Sequence, residues 1–399
     1  MKLLHLLLLI ACVAFRASAR NYTTIDFPGA NATEPFAINS NGDIVGTYSD
    51  SGLRGHGFLL HSGTFTTLDF PGADITEPTG INVNGVVVGT YFTATTEHGF
   101  RWHNGTFTTI DAPGATGTFA EGINDLGDIV GFFTTGSASH GFLLHNGTFT
   151  NLDAPFPGFG GLASTFPWGI NSHGDIVGAY IPFQTSIGFL LHAGVWNSIS
   201  VGGAGITFAR EIDSQGDIAG SISDDIGFHG HGFVIRGGTL TMIDFPGVVS
   251  DGDHRGTQVN GINDHGDVVG RYDLNQTHGF VSLNQQTVSI AIEPGEVPAS
   301  INTQSRGTIP VAILSAANFD ATTLVDRTSL TFGHSGNEHS LSFCNAGGGD
   351  VNGDGLPDLV CHFTRQLTGF QPGDTMGVLN GKTGDGTAIQ GMASIQIVH

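Results

Sequence analysis

Charge is scarce in this chain. Only 12% of its 399 residues are Asp, Glu, Lys or Arg, and just 13 are basic. The formal charge is −22 and the basic residues form no cluster, which argues against nucleic acid and anionic membrane as partners, since a phosphate backbone demands grouped Lys and Arg. Cysteine is equally sparse, with three in all. Beyond the first nineteen residues no apolar run is long enough to span a bilayer, and no hydrophobic tail precedes His399, so a C-terminal membrane anchor is not expected. Helical periodicity is also missing. No Ser-His-Asp order, nucleophile elbow or phosphate-cradling Gly loop stands in a convincing context.

Glycine (62) and phenylalanine (29) are abundant, and the glycine is periodic. The stretch Ile38-Asn39-Ser40-Asn41-Gly42-Asp43-Ile44-Val45-Gly46 returns from Ile81, Ile123, Ile170, Ile212 and Ile262, at steps of 43, 42, 47, 42 and 50 residues. Such a period marks stacked β-units. Gly42 and its counterparts supply the left-handed residue of a hairpin turn, with the leading Asn, or Asp213 in the fifth copy, folding back as an Asx-turn. A second glycine (Gly46, Gly89, Gly131, Gly178, Gly220, Gly270) inside the next strand suggests close approach of another backbone and units packed round an axis.

Each motif is followed by a run such as HGFLLH from His56 and then one such as TFTTLD from Thr64, giving four strands per repeat. The sixth repeat lacks its fourth strand, while the chain after residue 20 opens on an orphan one, Tyr22 to Asp26. The expected fold is all-β: a six-bladed β-propeller over residues 20–287 closed by the N-terminal strand, then a small β-sandwich over 288–399. An open solenoid is the alternative.

Met1 to Ala19, with Lys2, an apolar run from Leu6 to Phe15 and Ala17-Ser18-Ala19, reads as a secretory signal peptide over 1–19, so a secreted or extracellular protein is expected. A lipid anchor on Cys12 is the alternative. Cys344 and Cys361 then form one disulfide in an oxidising compartment. A monomer is expected.

The blades, with INxxGDIVG, HGF and GTFTxLDxPG, resemble the bacterial extracellular repeats of the HAF family, whose His-Ala-Phe stands here as His-Gly-Phe; the likeness covers about Asn21 to Leu283. The tail from Ile290, with RGTIPVAIL and DVNGDGLPDLV, is similar to a β-sandwich module appended to secreted bacterial proteins. These resemblances imply binding or surface roles and no defined catalysis.

Three sets of residues invite function. Asp350, Asn352, Asp354 and Asp358, with the Leu356 carbonyl, place oxygens at the spacing of a calcium-binding hairpin loop, so Ca2+ is the expected cofactor; a solvated Asp/Gly turn is the bland reading. The recurring His of HGF, replaced by Ile187 in the fourth copy, reads as structural, bonded to a backbone or Asp partner between blades. His229 and His231 with Asp224 and Asp225 form a weak transition-metal candidate. Finally, the repeats disagree two residues before each motif Ile: Phe36, Thr79, Glu121, Trp168, Arg210 and Asn260. In a propeller these should ring one mouth of the central channel and form a ligand-binding site. The function expected is recognition or adhesion through an extracellular glycan or protein ligand. The alternative is a hydrolase or lyase acting on an extracellular polymer, with Arg210, Glu211 and Glu121 as charge stabiliser and acid/base.

Overall fold

The computed structural model describes residues 20–136, 138–155, 164–182, 186–201, 205–223, 230–248, 256–317, 319–384 and 386–398. Residues 1–19, on which the expected signal peptide and Cys12 fall, and Asp224, Asp225 and His229 lie outside these. The chain divides into two compact units, with the boundary in sequence between Leu283 and Asn284.

Among the described residues the first unit is all-β and holds six four-stranded antiparallel sheets. In the first sheet the strands Ala32–Ile38, Ile44–Ser49, Gly55–His61 and Thr64–Thr67 follow in order. The next four sheets repeat this pattern, beginning at Ile75, Gly117, Ser164 and Ile206. The sixth takes three strands from residues 257–283 and its fourth, Asn21–Ile25, from the N-terminus, paired from Asn21↔Leu283 to Ile25↔Gly279.

The motif glycines do what their turns require: Gly42, Gly85, Gly127, Gly174, Gly216 and Gly266 all have φ between 70° and 87°. In the first copy Asn39 Oδ1 accepts the amides of Asn41 and Asp43 at 3.0 and 2.9 Å, as an Asx-turn should. The second glycine is crowded for a reason other than the expected packing round an axis. A Cβ on Gly46 would lie 2.2 Å from Glu34 O, on the partner strand of its own sheet. Crowding between sheets falls on the first strand, where a Cβ on Gly80, Gly122 or Gly261 would meet the main-chain oxygen of Glu121, Trp168 or Phe36, and on the third, where one on Gly57, Gly141 or Gly279 would meet the ring of Pro78, Pro167 or Pro35.

The sheets are held to one another by a repeated contact. The Phe of each HGF run is fully buried, and it shares a core with the motif Val of the preceding sheet: Val45 with Phe100, Val88 with Phe142, Val130 with Phe189, Val177 with Phe233. Ala219 takes the place of Val beside Phe280, and Val269 of the sixth sheet shares a core with Phe58 of the first. Each such Phe contributes about 1.5–3 kcal/mol by leaving water.

The second unit packs two sheets around one apolar core that includes Ile301, Ile309, Phe332, Phe363 and Leu379. One sheet is antiparallel; the other adds Gln285–Thr287 and Ala299–Asn302 in parallel to the long last strand, Ala388–Val398. Cys344 and Cys361 are joined in a disulfide across neighbouring strands.

Candidate functional site

Each first strand carries a β-bulge, and in all six sheets it falls at the variable position. The register slips between Pro35 and Ala37, Pro78 and Gly80, Ala120 and Gly122, Pro167 and Gly169, Ala209 and Glu211, and Val259 and Gly261. The residues left over are Phe36, Thr79, Glu121, Trp168, Arg210 and Asn260. A bulge re-aims side chains, here toward the first strand of a neighbouring sheet. Thr79 Oγ1 donates to Ala120 O at 2.8 Å, Asn260 Nδ2 donates to Pro35 O at 3.0 Å, and Trp168 meets Phe208 edge to face at 5.6 Å.

Two residues earlier, a second set faces the same way: Glu34, Glu77, Phe119, Phe166, Phe208 and Gln258, all partly buried. The sequence reading passed over them, although alternation from the bulge position points to them. Together the two sets divide by chemistry. Phe119, Phe132, Phe166, Trp168 and Phe208 form a chain of ring contacts with centroids 4.4 to 6.4 Å apart. Glu34, Glu77, Glu121, Gln258 and Arg271 are polar. Arg271 Nε lies 3.3 Å from Glu34 Oε1 and donates to Gln258 Oε1 at 3.1 Å. Arg210 stands between the two sectors, its guanidinium 4.3 Å from the Trp168 ring centre and 5.2 Å from that of Phe208.

Electrostatics follow burial. The Glu121 carboxyl is pushed up to about 8, chiefly by burial and further by the charge of Glu77, against the pull of Arg210. Burial and Glu34 raise Glu77 as well. The guanidinium of Arg210 is shifted down by burial. It stays charged at any ordinary pH.

The six residues do not line the cavity that opens among the motif turns. That cavity, about 60 Å³, is bordered by residues of all six motifs, including Asn39, Asn124, Asn171, Asp213 and Asn263, and by Glu211. Glu211 is the one large side chain at a position that is otherwise Ala or Gly. Its carboxyl is pushed up to about 8 by burial, moderated by a backbone amide bond from Ile212 at 3.1 Å.

The repeated His is tied to an Asp, one that stands just past the fourth strand of its own sheet. His56 bonds Asp69 at 2.8 Å, His98 Asp111 at 2.9 Å, His140 Asp153 at 3.1 Å and His231 Asp244 at 3.0 Å, each thirteen residues on. His278 takes Asp26 from the N-terminal strand at 2.8 Å. In the fourth sheet both members are lost together, to Ile187 and Ser200. A second series escaped the sequence reading: the motif Asp bonds the last His of the third strand, as Asp43–His61, Asp128–His145 and Asp175–His192, all at 2.6 Å, while Asp217 pairs with Arg236.

In the second unit the acidic loop is wrapped on its own amides. Asp350 accepts from Gly353, Asp354 and Gly355, and Asp354 from Leu356 and the Asn352 side chain. Asp358 is buried and holds the amides of Ser315 and Val351, each at 2.8 Å. Among the described residues no group of three or more His, Cys, Asp or Glu is arranged to hold a metal ion, and no helix is long and apolar enough to cross a membrane.

No protein-family model matches the chain, and no curated protein does. Among solved structures it is similar to a protein assigned as a gluconolactonase, at 12% identity and TM-score 0.42, covering 67% of this chain and 93% of that one. It is also similar to a mutant Aleuria aurantia lectin in complex with Fucα1-6GlcNAc, at 10% identity and TM-score 0.38, covering 62% and 90%. A third is a puromycin-hydrolyzing peptidase of Mycobacterium tuberculosis, at 10% identity and TM-score 0.37, covering 73% and 60%.

Proposed function

We propose that the chain is a secreted or cell-surface recognition protein whose first unit is a closed six-bladed β-propeller and whose central channel binds an extracellular glycan or peptide. The observation that carries this reading is the coincidence of the six bulges with the six variable residues. A framework that repeats its turns, glycines and buried Phe turns a set of freely varying side chains toward neighbouring first strands, and with the set two residues earlier they separate into an aromatic and a polar sector. Rigid scaffolds that vary at one repeated position are built for binding. Closure is supported by the N-terminal strand on the sixth sheet and by Asn263 Nδ2 donating to Asn39 O at 3.1 Å. Export is supported by the leader with its Ala17-Ser18-Ala19 site and by the disulfide. The second unit is read as a β-sandwich whose loop of Asp350, Asn352, Asp354 and Asp358 takes Ca2+ in millimolar extracellular calcium.

A glycan and peptide array probed with the mature protein and with Trp168→Ala tests the binding reading. It fails if no ligand is captured, or if every captured ligand is held equally by the variant. The hydrolase or lyase reading keeps one specific support: Glu121, its carboxyl pushed up to about 8 chiefly by burial, is in the field of a second carboxyl, Glu77, which burial also raises. Release of new chain ends from an array hit, lost in Glu121→Gln, would establish it.

A further inference from the structure

Arg210 is a cation with no carboxylate bonded to it; Glu121 and Glu34 act on it only through space. Its guanidinium makes no ion pair and no hydrogen bond among the described residues, and its Nε is sealed and unpartnered. The contrast is Arg271, paired to Glu34 and Gln258. Trp168 and Phe208 lie against the Arg210 guanidinium and offer it no hydrogen-bond acceptor, so its terminal N–H groups have no protein partner among the described residues. A partly buried charge in that state costs stability, more so in a low-dielectric setting, and a fold retains it where a ligand supplies the opposite charge.

We propose that the channel takes a uronic-acid glycan and that Arg210 receives the sugar carboxylate. This rests on the channel being the ligand site. A planar guanidinium matches a carboxylate through two parallel N–H bonds. Glu121 does not compete for Arg210: burial keeps it largely protonated at neutral pH, so it offers an O–H donor to the same ligand group. The remaining surfaces of a pyranose also find partners. Its C–H face suits the Phe166, Trp168 and Phe208 sector, and its hydroxyls suit Glu34, Glu77 and Gln258. An acidic peptide fits less well. It would add its backbone to an open strand edge, yet the first strands are packed on one another so closely that a Cβ on Gly122 would lie 2.4 Å from Trp168 O and one on Gly261 2.7 Å from Phe36 O.

The test is calorimetric titration of the full mature chain with a galacturonic-acid trimer, a neutral galactose trimer and pentaglutamate. The acidic trimer should bind and the neutral one bind on the order of ten-fold more weakly or not at all. Arg210→Gln should lower affinity for the acidic trimer on the order of 10- to 100-fold, the loss expected of a charge-assisted bond, with no fall in melting temperature. Arg210→Lys keeps the charge without the planar fork and should fall between; it also serves if the Gln variant does not fold. Affinity should decline above about pH 8 as Glu121 ionises, and Glu121→Gln should remove that decline. Equal binding of the two trimers, no binding of the acidic one at millimolar concentration, or an unchanged Arg210→Gln overturns the proposal. Pentaglutamate captured through Arg210 in place of the trimer overturns the glycan assignment. If the neutral trimer binds and Trp168→Ala abolishes it, the channel site stands and only carboxylate recognition falls. Acidic-trimer binding untouched by both Trp168→Ala and Arg210→Gln removes the channel site too.

Discussion

Asn171 donates its Nδ2 to the main-chain oxygen of Asp213 at 3.0 Å, and Asp213 passes no such bond onward. Around the motif turns Asn39 bonds Asn82 O, Asn82 bonds Asn124 O, Asn124 bonds Asn171 O and Asn263 bonds Asn39 O. At Asp213 the donor is missing, and its Oδ2 is buried with no partner. The fifth and sixth sheets are instead linked by Asp264, whose Oδ1 accepts the Ser214 amide at 2.8 Å and whose carbonyl accepts from Gln215 Nε2 at 2.8 Å.

The Asp213 carboxyl is pushed up to about 6, first by burial and then by the charges of Asp217 and Asp264, with Glu211 also in its field and Arg236 engaged by Asp217. A carboxyl raised in the folded state favours folding while protonated, so its contribution is complete below the ordinary Asp range and is lost as pH rises through about 6. The first unit should therefore melt a few degrees higher at pH 5 than at pH 7.5 through this group. Asp213→Asn restores the donor and should raise the melting temperature at pH 7.5 and flatten this step. Parallel pH profiles for parent and variant in thermal denaturation would show that Asp213 is not the origin.

Deleting residues 21–29 removes the fourth strand of the sixth sheet, the Asp26 partner of His278, and Ile25 and Phe27 from the core shared with Phe58. The lost apolar burial is worth several kcal/mol, and the first unit should melt several degrees lower while the second is unmoved. Differential scanning calorimetry reads both transitions. An unchanged first transition means the sheets are joined some other way.

Gly122→Ala should destabilise by about 1–3 kcal/mol, because the added methyl must displace the Trp168 carbonyl of the next sheet. Gly127→Ala, at φ 87° with open space around it, acts through backbone strain alone and should cost less. Urea midpoints of the two variants give the comparison.

For calcium, about 1 mM free ion should raise the melting temperature of the second unit by several degrees, as linkage requires of a site with a dissociation constant near 0.1 mM. Asp354→Ala should abolish that shift with a small effect on the calcium-free protein, since Asp354 is exposed. Asp358→Ala should destabilise with or without calcium, because it strips the buried amides of Ser315 and Val351 of their acceptor. Superimposable calorimetric traces of the full chain in calcium and in chelator would identify the loop as an ordinary Asp/Gly turn.

What the sequence determined by itself was everything that repeats locally. Turn glycines, Asx-turns, strand order within each sheet and the borrowed N-terminal strand follow from residue chemistry over a few positions, and six copies make each signal plain. The variable positions were legible too. Only the tertiary structure decided what they do, because a bulge is a mismatch between two strands and cannot be read from one. The same holds for the His–Asp pairs thirteen residues apart, which join the third strand to the residues just past the fourth, and for the two glycine series, one crowded by its own sheet and the other by the next. Arg210 was visible as a member of the variable set and as a possible charge stabiliser. That it stands over two aromatic rings with no carboxylate bonded to it depends on where three first-strand side chains meet, and that is set by the packing of neighbouring sheets.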